Sequence, residues 1–326
     1  MELITGENDN GRRLDRILRK ALPDYPLPLI HRFLRQEKVL INGKPGKARD
    51  RVDAGVKIVI PSMRETDNNF AGRKKKIRAR INIKTRGRQS LEEYIIWQND
   101  DLIAFNKPKG LAVHGRGSLE TMARDYLIDK IPASLSFTSG PLHRLDKPSS
   151  GIVVFSKSLE GARLFSSLMR ERKIKKTYLA IVEGNVERDE IWKDALFRDK
   201  EIKKTIIRGS RYSKDAVTKI VPLAAKDMRS LIKAQIITGR THQIRAQAAF
   251  HGHPLAGDVK YGGQSVINNR QLKSAHTKEK NYIEKKPDFF LHAWKLEFPD
   301  VFIEAPPPED FIKMIELIFE KNVLDL

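Results

Sequence analysis

The run RKKKIRARINIKTRGR, Arg73–Arg88, carries nine basic residues and no acid. Like charges at this density repel one another and leave no continuous apolar face, so the segment cannot enter a core. It divides the chain. The break predicts a small module over residues 1–61, an exposed basic linker over 62–90 and a large domain over 91–326. The charge imbalance is general: Lys+Arg 62 against Asp+Glu 41 gives a formal net charge of +21. A surplus of that size favours a polyanionic partner, and on nucleic acid the linker would condense onto phosphates and release counterions. No apolar run approaches the ~20 residues of a spanning helix, and the opening MELITGENDN lacks the apolar region of a signal peptide. The chain has no cysteine, which excludes disulfides, thiol catalysis and cysteine-ligated zinc. These features predict a cytoplasmic nucleic-acid-binding protein with no membrane attachment.

Hydrophobic spacing organises the module. In GRRLDRILRKALP, Leu14, Ile17, Leu18 and Ala21 recur at helical intervals, and Pro23 closes the segment. In PLIHRFLRQEK, Ile30, Phe33 and Leu34 mark an inner face, while Arg32, Arg35 and Lys38 fall on another. VLING runs a short strand into Asn42-Gly43, a hairpin signal, and GVKIVIP supplies a further strand. Basic residues on a helix are most often a solvated face. Two basic helices and a hairpin in sixty residues nevertheless resemble the S4 RNA-binding domain, which implies RNA contacts by Arg32, Arg35 and Lys38.

The large domain begins at Leu91. EYIIWQNDDLIAFNKPKG reads as strand, turn and strand ending at Lys107-Pro108, and SGIVVFSKS as a buried strand. SLEGARLFSSLMRERK reads as a helix capped by Ser158, with Ala162, Phe165, Leu168 and Met169 inward. TYLAIVEG, LIKAQII, FFLHAWKLEF and VFIEAPPP supply strands. A short helix is predicted from about Thr241 to Gly252, and an amphipathic helix in EDFIKMIELIFEK. Residues 260–288 are polar and turn-rich, as in an exposed insertion. Strands and short helices interleave without a regular βαβ rhythm. The expected class is α+β, with a mixed, mainly antiparallel sheet flanked by helices.

The chain has no phosphate-cradling GxxxxGK[ST] loop and no GxSxG elbow, and His251-Gly-His253 lacks a third ligand at helical spacing. What remains is a set of cation-rich loops at strand ends: NKPKGLAVHGRGS, HRLDKPSSG, KKTYLAIVEG and TGRTHQIR. In the second, one acid, Asp146, sits among His143, Arg144 and Lys147. Positive neighbours favour the charged form of a carboxylate, which suits nucleophilic or base chemistry, or else half of a salt bridge.

These four segments, in this order and followed by GHPLAGDVKYG, resemble the RluA family of RNA pseudouridine synthases, and the resemblance covers essentially all of residues 91–326. Pro148-Ser149, where a Thr commonly precedes Ser-Gly, and Gln247, where many members carry His, depart from the pattern. The resemblance implies the pseudouridine synthase fold and conversion of uridine to pseudouridine in large-subunit ribosomal RNA, by a monomer needing no cofactor or metal. It casts Asp146 as the catalytic acid, either attacking ribose C1′ or assisting proton removal at C2′. It further places Tyr178 against the uracil, Arg245 as the cation paired with Asp146, and Arg144 in the gap left by the flipped base. Lys107 joins the expected RNA contacts. A carboxylate in a dry cleft needs a fixed cation, so Arg245 should lie within about 4 Å of Asp146. A non-catalytic RNA-binding factor on the same fold is the competing class, and a basic DNA-binding protein a third.

Overall fold

A computed structural model describes residues 1–62, 90–264 and 289–320. The basic linker, over 63–89, and most of the polar 260–288 segment lie outside the described residues.

The chain first lays down β1 (Glu2–Ile4), β2 (Arg12–Arg13), α1 (Leu14–Ala21), α2 (Leu27–Arg35), β3 (Leu40–Ile41), β4 (Lys44–Pro45), β5 (Arg51–Val52) and β6 (Lys57–Val59). The helices form where the apolar spacing repeats. Leu14, Ile17, Leu18, Leu29, Ile30, Phe33 and Leu34 are buried together in a core that belongs to this unit. Pro28 falls in the first turn of α2, where a missing N–H breaks no helical hydrogen bond. The Asn42-Gly43 turn has φ of 47° and 83°, the positive pair a two-residue hairpin loop requires. The sheet runs β1-β6-β3-β4, antiparallel throughout, with β2 and β5 paired separately.

The second unit is built on β7 (Ile95–Gln98), β8 (Leu102–Lys107), α3 (Leu119–Leu127), β9 (Ser150–Ser156), α4 (Leu159–Arg170) and β10 (Lys175–Glu183). β11 (Glu190–Asp199), β12 (Lys204–Ile207), β13 (Lys214–Lys226), β14 (Arg229–Ile236), α5 (Gln243–Phe250), β15 (Leu291–Phe298), β16 (Val301–Glu304) and α6 (Glu309–Phe319) follow. Among the described residues these strands form one ten-stranded sheet, ordered β12-β11-β13-β14-β10-β15-β9-β8-β7, with β16 also on β15. Every pairing is antiparallel except β15 with β9, so the mixed, mainly antiparallel expectation holds. The strands β11 to β13 had no counterpart in the sequence reading. In β11 only Trp192 and Leu196 are buried outright, and an interval of four fits a helix as well as a strand.

The parallel pairing positions the site. Ser150 and Gly151 lie opposite His292 and Ala293 at the start of both strands. Gly151 has φ of 108°, and a Cβ there would come within 2.3 Å of the Ala293 carbonyl oxygen. Only glycine lets the two backbones approach so closely. The loop before β9 thus enters at the middle of the sheet, one strand from β10.

The first unit docks on the second through Asp9. Its buried carboxylate accepts hydrogen bonds from the Gly6 N–H (3.0 Å), the Ser134 hydroxyl (2.7 Å), the Leu135 N–H (2.8 Å), the Ser136 N–H (3.0 Å) and the Ser136 hydroxyl. Burial alone would raise the Asp9 pKa, but these donors outweigh it and hold it below its ordinary value. Asn8 adds a bond from the Leu159 N–H at 2.7 Å, at the start of α4. An Asp9→Ala variant strands several buried donors at about 1–3 kcal/mol each. Its unfolding free energy, measured by urea titration followed by circular dichroism, is expected to fall by at least about 2 kcal/mol. A loss under a few tenths would show that Asp9 does not hold the two units together.

Candidate active site

The loop His143–Ser149, between the early strands and β9, carries Asp146 to the floor of a cleft. Arg144, Ser149, Tyr178, Arg240, His242 and Arg245 line it with Asp146. Tyr178 reaches it from β10, where its register partner on β15 is Ala293, the residue beside Gly151. Arg245 reaches it from α5, which starts at a left-handed His242 (φ 54°). The helix begins two residues later than Thr241 because this turn redirects the chain first.

The Arg245 guanidinium is only 6% exposed and is held on two sides. Its Nε and Nη2 donate to the two oxygens of Asp258, at 2.6 and 2.8 Å, and its Nη1 donates to Asp146 Oδ2 at 2.8 Å. The rings of Phe289 and Tyr261 flank it, at 4.3 and 4.9 Å from their centroids. The expected contact with Asp146 is present, but the fork of the guanidinium grips Asp258 and a single N–H faces Asp146. Burial would lower the Arg245 pKa; the bonds and charge of Asp258, followed by Asp146, outweigh that and raise it. Asp258 is itself 2% exposed. Sequence reasoning did not single it out, although it is the only acid in HGHPLAGDVKYG.

His242 is the other residue missed. Its Nε2 lies 3.6 Å from Asp146 Oδ1, and its Nδ1 meets the Tyr261 hydroxyl at 2.9 Å. That hydroxyl already accepts the Thr205 N–H, which leaves its proton for Nδ1. The neutral ring then carries its own proton on Nε2, facing Asp146. Burial takes the His242 pKa down to about 4 against the pull of Asp146.

Lys107, expected to contact RNA, is instead fully buried. Its ammonium donates to the carbonyls of Pro108 (3.0 Å), Leu111 (2.8 Å), Lys147 (3.4 Å) and Ser149, clamping the loop that bears Asp146 from beneath. Burial brings its pKa down to about 7, with Asp146 opposing. Below the same loop His292 bonds the Ser150 hydroxyl and the Ala305 carbonyl, both at 2.9 Å. His143, stacked on Phe165, accepts the Val154 N–H at 3.1 Å.

Tyr178 is 8% exposed. Burial first, and the Asp146 charge second, push its phenol far above the usual value. Ser149, also on the cleft wall, has a buried hydroxyl with no hydrogen-bond partner among the described residues. Arg144 is exposed at the cleft. Arg35 and Lys38 are exposed on the first unit, and Arg32 is half-buried near the Phe33 ring; none of the three lines the cleft. Gln247, a departure from the family pattern, also faces away. It accepts from the Thr218 hydroxyl at 2.6 Å and donates to Asp194 at 2.6 Å, tying α5 to the sheet. Among the described residues no group of three or more His, Asp or Glu is placed to hold a metal ion, and no helix is long and apolar enough to cross a membrane.

A sequence profile of the RNA pseudouridylate synthase family matches residues 101–250, which span the Asp146 loop, β10 and α5. The ribosomal large subunit pseudouridine synthase C of Vibrio parahaemolyticus is 32% identical over 256 residues, 78% of each chain. That of Vibrio vulnificus is 30% identical over 300 residues, 92% of this chain and 89% of the relative. The solved structure of human RNA Pseudouridylate Synthase Domain Containing 4 shares the fold, with a TM-score of 0.57 at 24% identity over 70% of this chain and 93% of its own. The profile and these relatives make the chain an RNA-modifying isomerase, and it belongs to the RNA pseudouridylate synthase family. It converts uridine in RNA to pseudouridine.

Three histidines, His292 buried and His143 and His242 half-buried, fix how stability responds to acid. His143 is held down to about 3, and His242 and His292 to about 4, by burial. The unfolded chain takes up these protons near the ordinary 6.5, before the folded chain does, so stability falls as pH drops from 6.5 toward 4. Each histidine contributes roughly 1.4 kcal/mol per pH unit over that window. Thermal melts between pH 7.5 and 4.5 should show a progressive loss beginning near 6.5. A flat profile down to 4.5 would contradict the three neutral rings.

Proposed function

We propose that the protein isomerises uridines of large-subunit ribosomal RNA, with Asp146 as the group that acts at the ribose. The observation that carries this reading is the Asp146–Arg245–Asp258 chain inside a cleft walled by Tyr178. The large-subunit assignment follows the names of the relatives that match most of the chain.

In this reading the target uridine leaves its stack, at a cost of a few kcal/mol, before its C1′ reaches Asp146. Arg144, exposed at the cleft, offers a planar guanidinium that can stack into the vacated position. Asp146 then attacks C1′ or assists loss of the C2′ proton, and the N1–C1′ bond breaks. The freed uracil turns over and bonds C1′ through C5, displacing Asp146 or, on the other route, with the proton returned to C2′; C5 then loses its proton and N1 holds one. Every atom stays in the cleft, so the conversion has no stoichiometric co-reactant.

Tyr178 fits a proton carrier whose availability depends on Asp146. While Asp146 is charged, that charge helps keep the phenol protonated. A bond from Asp146 to C1′ removes that charge and eases transfer of the phenolic proton to the departing uracil N1, and the resulting phenolate takes the C5 proton once C5 has replaced Asp146 on C1′. Phe289 and Tyr261 shield Arg245 from water, which strengthens its interaction with Asp146. The first unit, read as S4-like, would add RNA contacts through Arg32, Arg35 and Lys38.

The test is mapping of pseudouridine in a large-subunit ribosomal RNA transcript treated with purified protein. Asp146→Ala is expected to fold and bind the transcript but to form no pseudouridine. Arg245→Lys should retain partial activity, because the charge survives but three N–H contacts cannot be reproduced. Arg245→Ala should lose at least about 100-fold, the size typical of losing a group that orients a catalytic residue. Turnover by Asp146→Ala, or wild-type turnover by Arg245→Ala at saturating RNA, would overturn the assignment.

A further inference from the structure

A second cleft opens along the seam where the first unit meets α4. Its cavity measures about 340 Å³, lined by Arg12, Arg13, Arg16 and Arg51 on one side and by Leu159 and Arg163 on the other. Five guanidiniums therefore converge from β2, α1, β5 and α4. Among the described residues one carboxylate touches them directly: Asp15, which pairs with Arg13 at 2.6 Å. Asp9 lies beneath, buried, with its oxygens taken up by donors from Gly6 and Ser134–Ser136.

The cleft is held in shape by bonds to the backbone. Arg12 donates to the Ser136 carbonyl and hydroxyl, both at 2.9 Å, and Arg51 to the Gly11 carbonyl at 2.6 Å. Arg16 and Arg163 are exposed and, among the described residues, have no carboxylate partner. Burial lowers the Arg12 pKa, Asp9 opposes this, and Arg163 and Arg16 lower it further. Like charges are thus gathered into one concavity without a matching number of acids, an arrangement that a polyanion relieves. The planar forks suit phosphate oxygens. Among the described residues the lining is arginine, glycine and leucine, suited to backbone phosphate rather than to stacking on a base.

We propose that this seam binds the phosphate backbone of the substrate RNA, away from the uridine cleft, so that both units grip one RNA together. The proposal rests on the reading of the chain as an enzyme acting on RNA. A site that straddles two docked units also makes RNA affinity depend on the docking itself.

The experiment uses the full chain with an Arg16→Ala/Arg163→Ala double variant, and Arg188→Ala/Lys193→Ala as a control of equal charge, since those two residues line neither cleft. Binding to a large-subunit ribosomal RNA transcript is measured as a function of salt. Losing two phosphate contacts should reduce the slope of log K against log salt by about 1.4 to 1.8, and affinity near physiological salt by roughly 10- to 30-fold. The loss in pseudouridine formation should appear in KM. Arg16→Glu/Arg163→Glu should weaken binding further, with melting curves confirming that each variant is folded. An unchanged slope, or an equal loss in the control pair, would overturn the seam. Because binding is read directly, an inactive wild-type protein would refute the proposed function while the slope still decides this site.

Discussion

Everything at the Asp146 cleft depends on one buried cation with two acids. Removing a guanidinium from water costs several kcal/mol unless its donors are met, and Arg245 meets that cost mainly with Asp258. Asp258 fixes the plane of the guanidinium, and only then does Nη1 point at Asp146. The turn that presents Asp258 is tight: a Cβ on Gly263 would lie 2.1 Å from the Leu255 carbonyl oxygen. A substitution at Gly263 therefore disturbs Asp146 without touching it. The two carboxylates are not equivalent, because the half-buried Asp146 is open to a ligand and Asp258 is sealed.

A second cation works from below. Lys107 is as deeply buried as any apolar residue of the core, yet its ammonium is surrounded by four backbone carbonyls. Three N–H donors on one nitrogen can tie together segments that have no ladder between them. Here they connect the end of β8 to both sides of Pro148. His292 and the close approach at Gly151 fix the other end of the same loop. The loop that carries Asp146 is therefore rigid because buried polar groups are satisfied, an arrangement that loses its benefit if any one partner is removed.

The sequence made much of this legible, and the reasons for the remainder are physical. The helices of the first unit and the strands β8, β9, β10, β14 and β15 carry dense apolar runs or clear periodicity, and these appeared where expected. Asp146, Tyr178 and Arg245 were found through motif order, and the cleft brings them together with Arg144. What stayed hidden depended on three-dimensional pairing. Asp258 reads as an ordinary turn acid until Arg245 is seen above it. His242 reads as a motif residue until its left-handed φ turns it toward Asp146. Lys107 looked like a surface cation because lysine is rarely buried, and nothing in NKPKG announces four carbonyls closing around it. The charge pattern of α2 was visible, but the docking through Asp9 was not, since Ser134–Ser136 lie more than 120 residues away.

One helix joins the two charged clefts. The first turn of α4 receives Asn8 of the N-terminal unit through the Leu159 N–H, and Arg163 stands one turn further along, at the seam. Two residues beyond, Phe165 is buried and stacks on His143, which opens the Asp146 loop. Leu159, Arg163 and Phe165 thus link the docked unit, the arginine cleft and the Asp146 loop within about two turns of helix. Ser158 caps the helix by accepting the Gly161 N–H at 2.9 Å and is bound in turn to Asp101, so the start of α4 is fixed to the sheet. Packed cores deform little. A continuous packed path therefore runs from the N-terminal unit through Phe165 and His143, which bonds the β9 backbone at Val154, to the loop that positions Asp146.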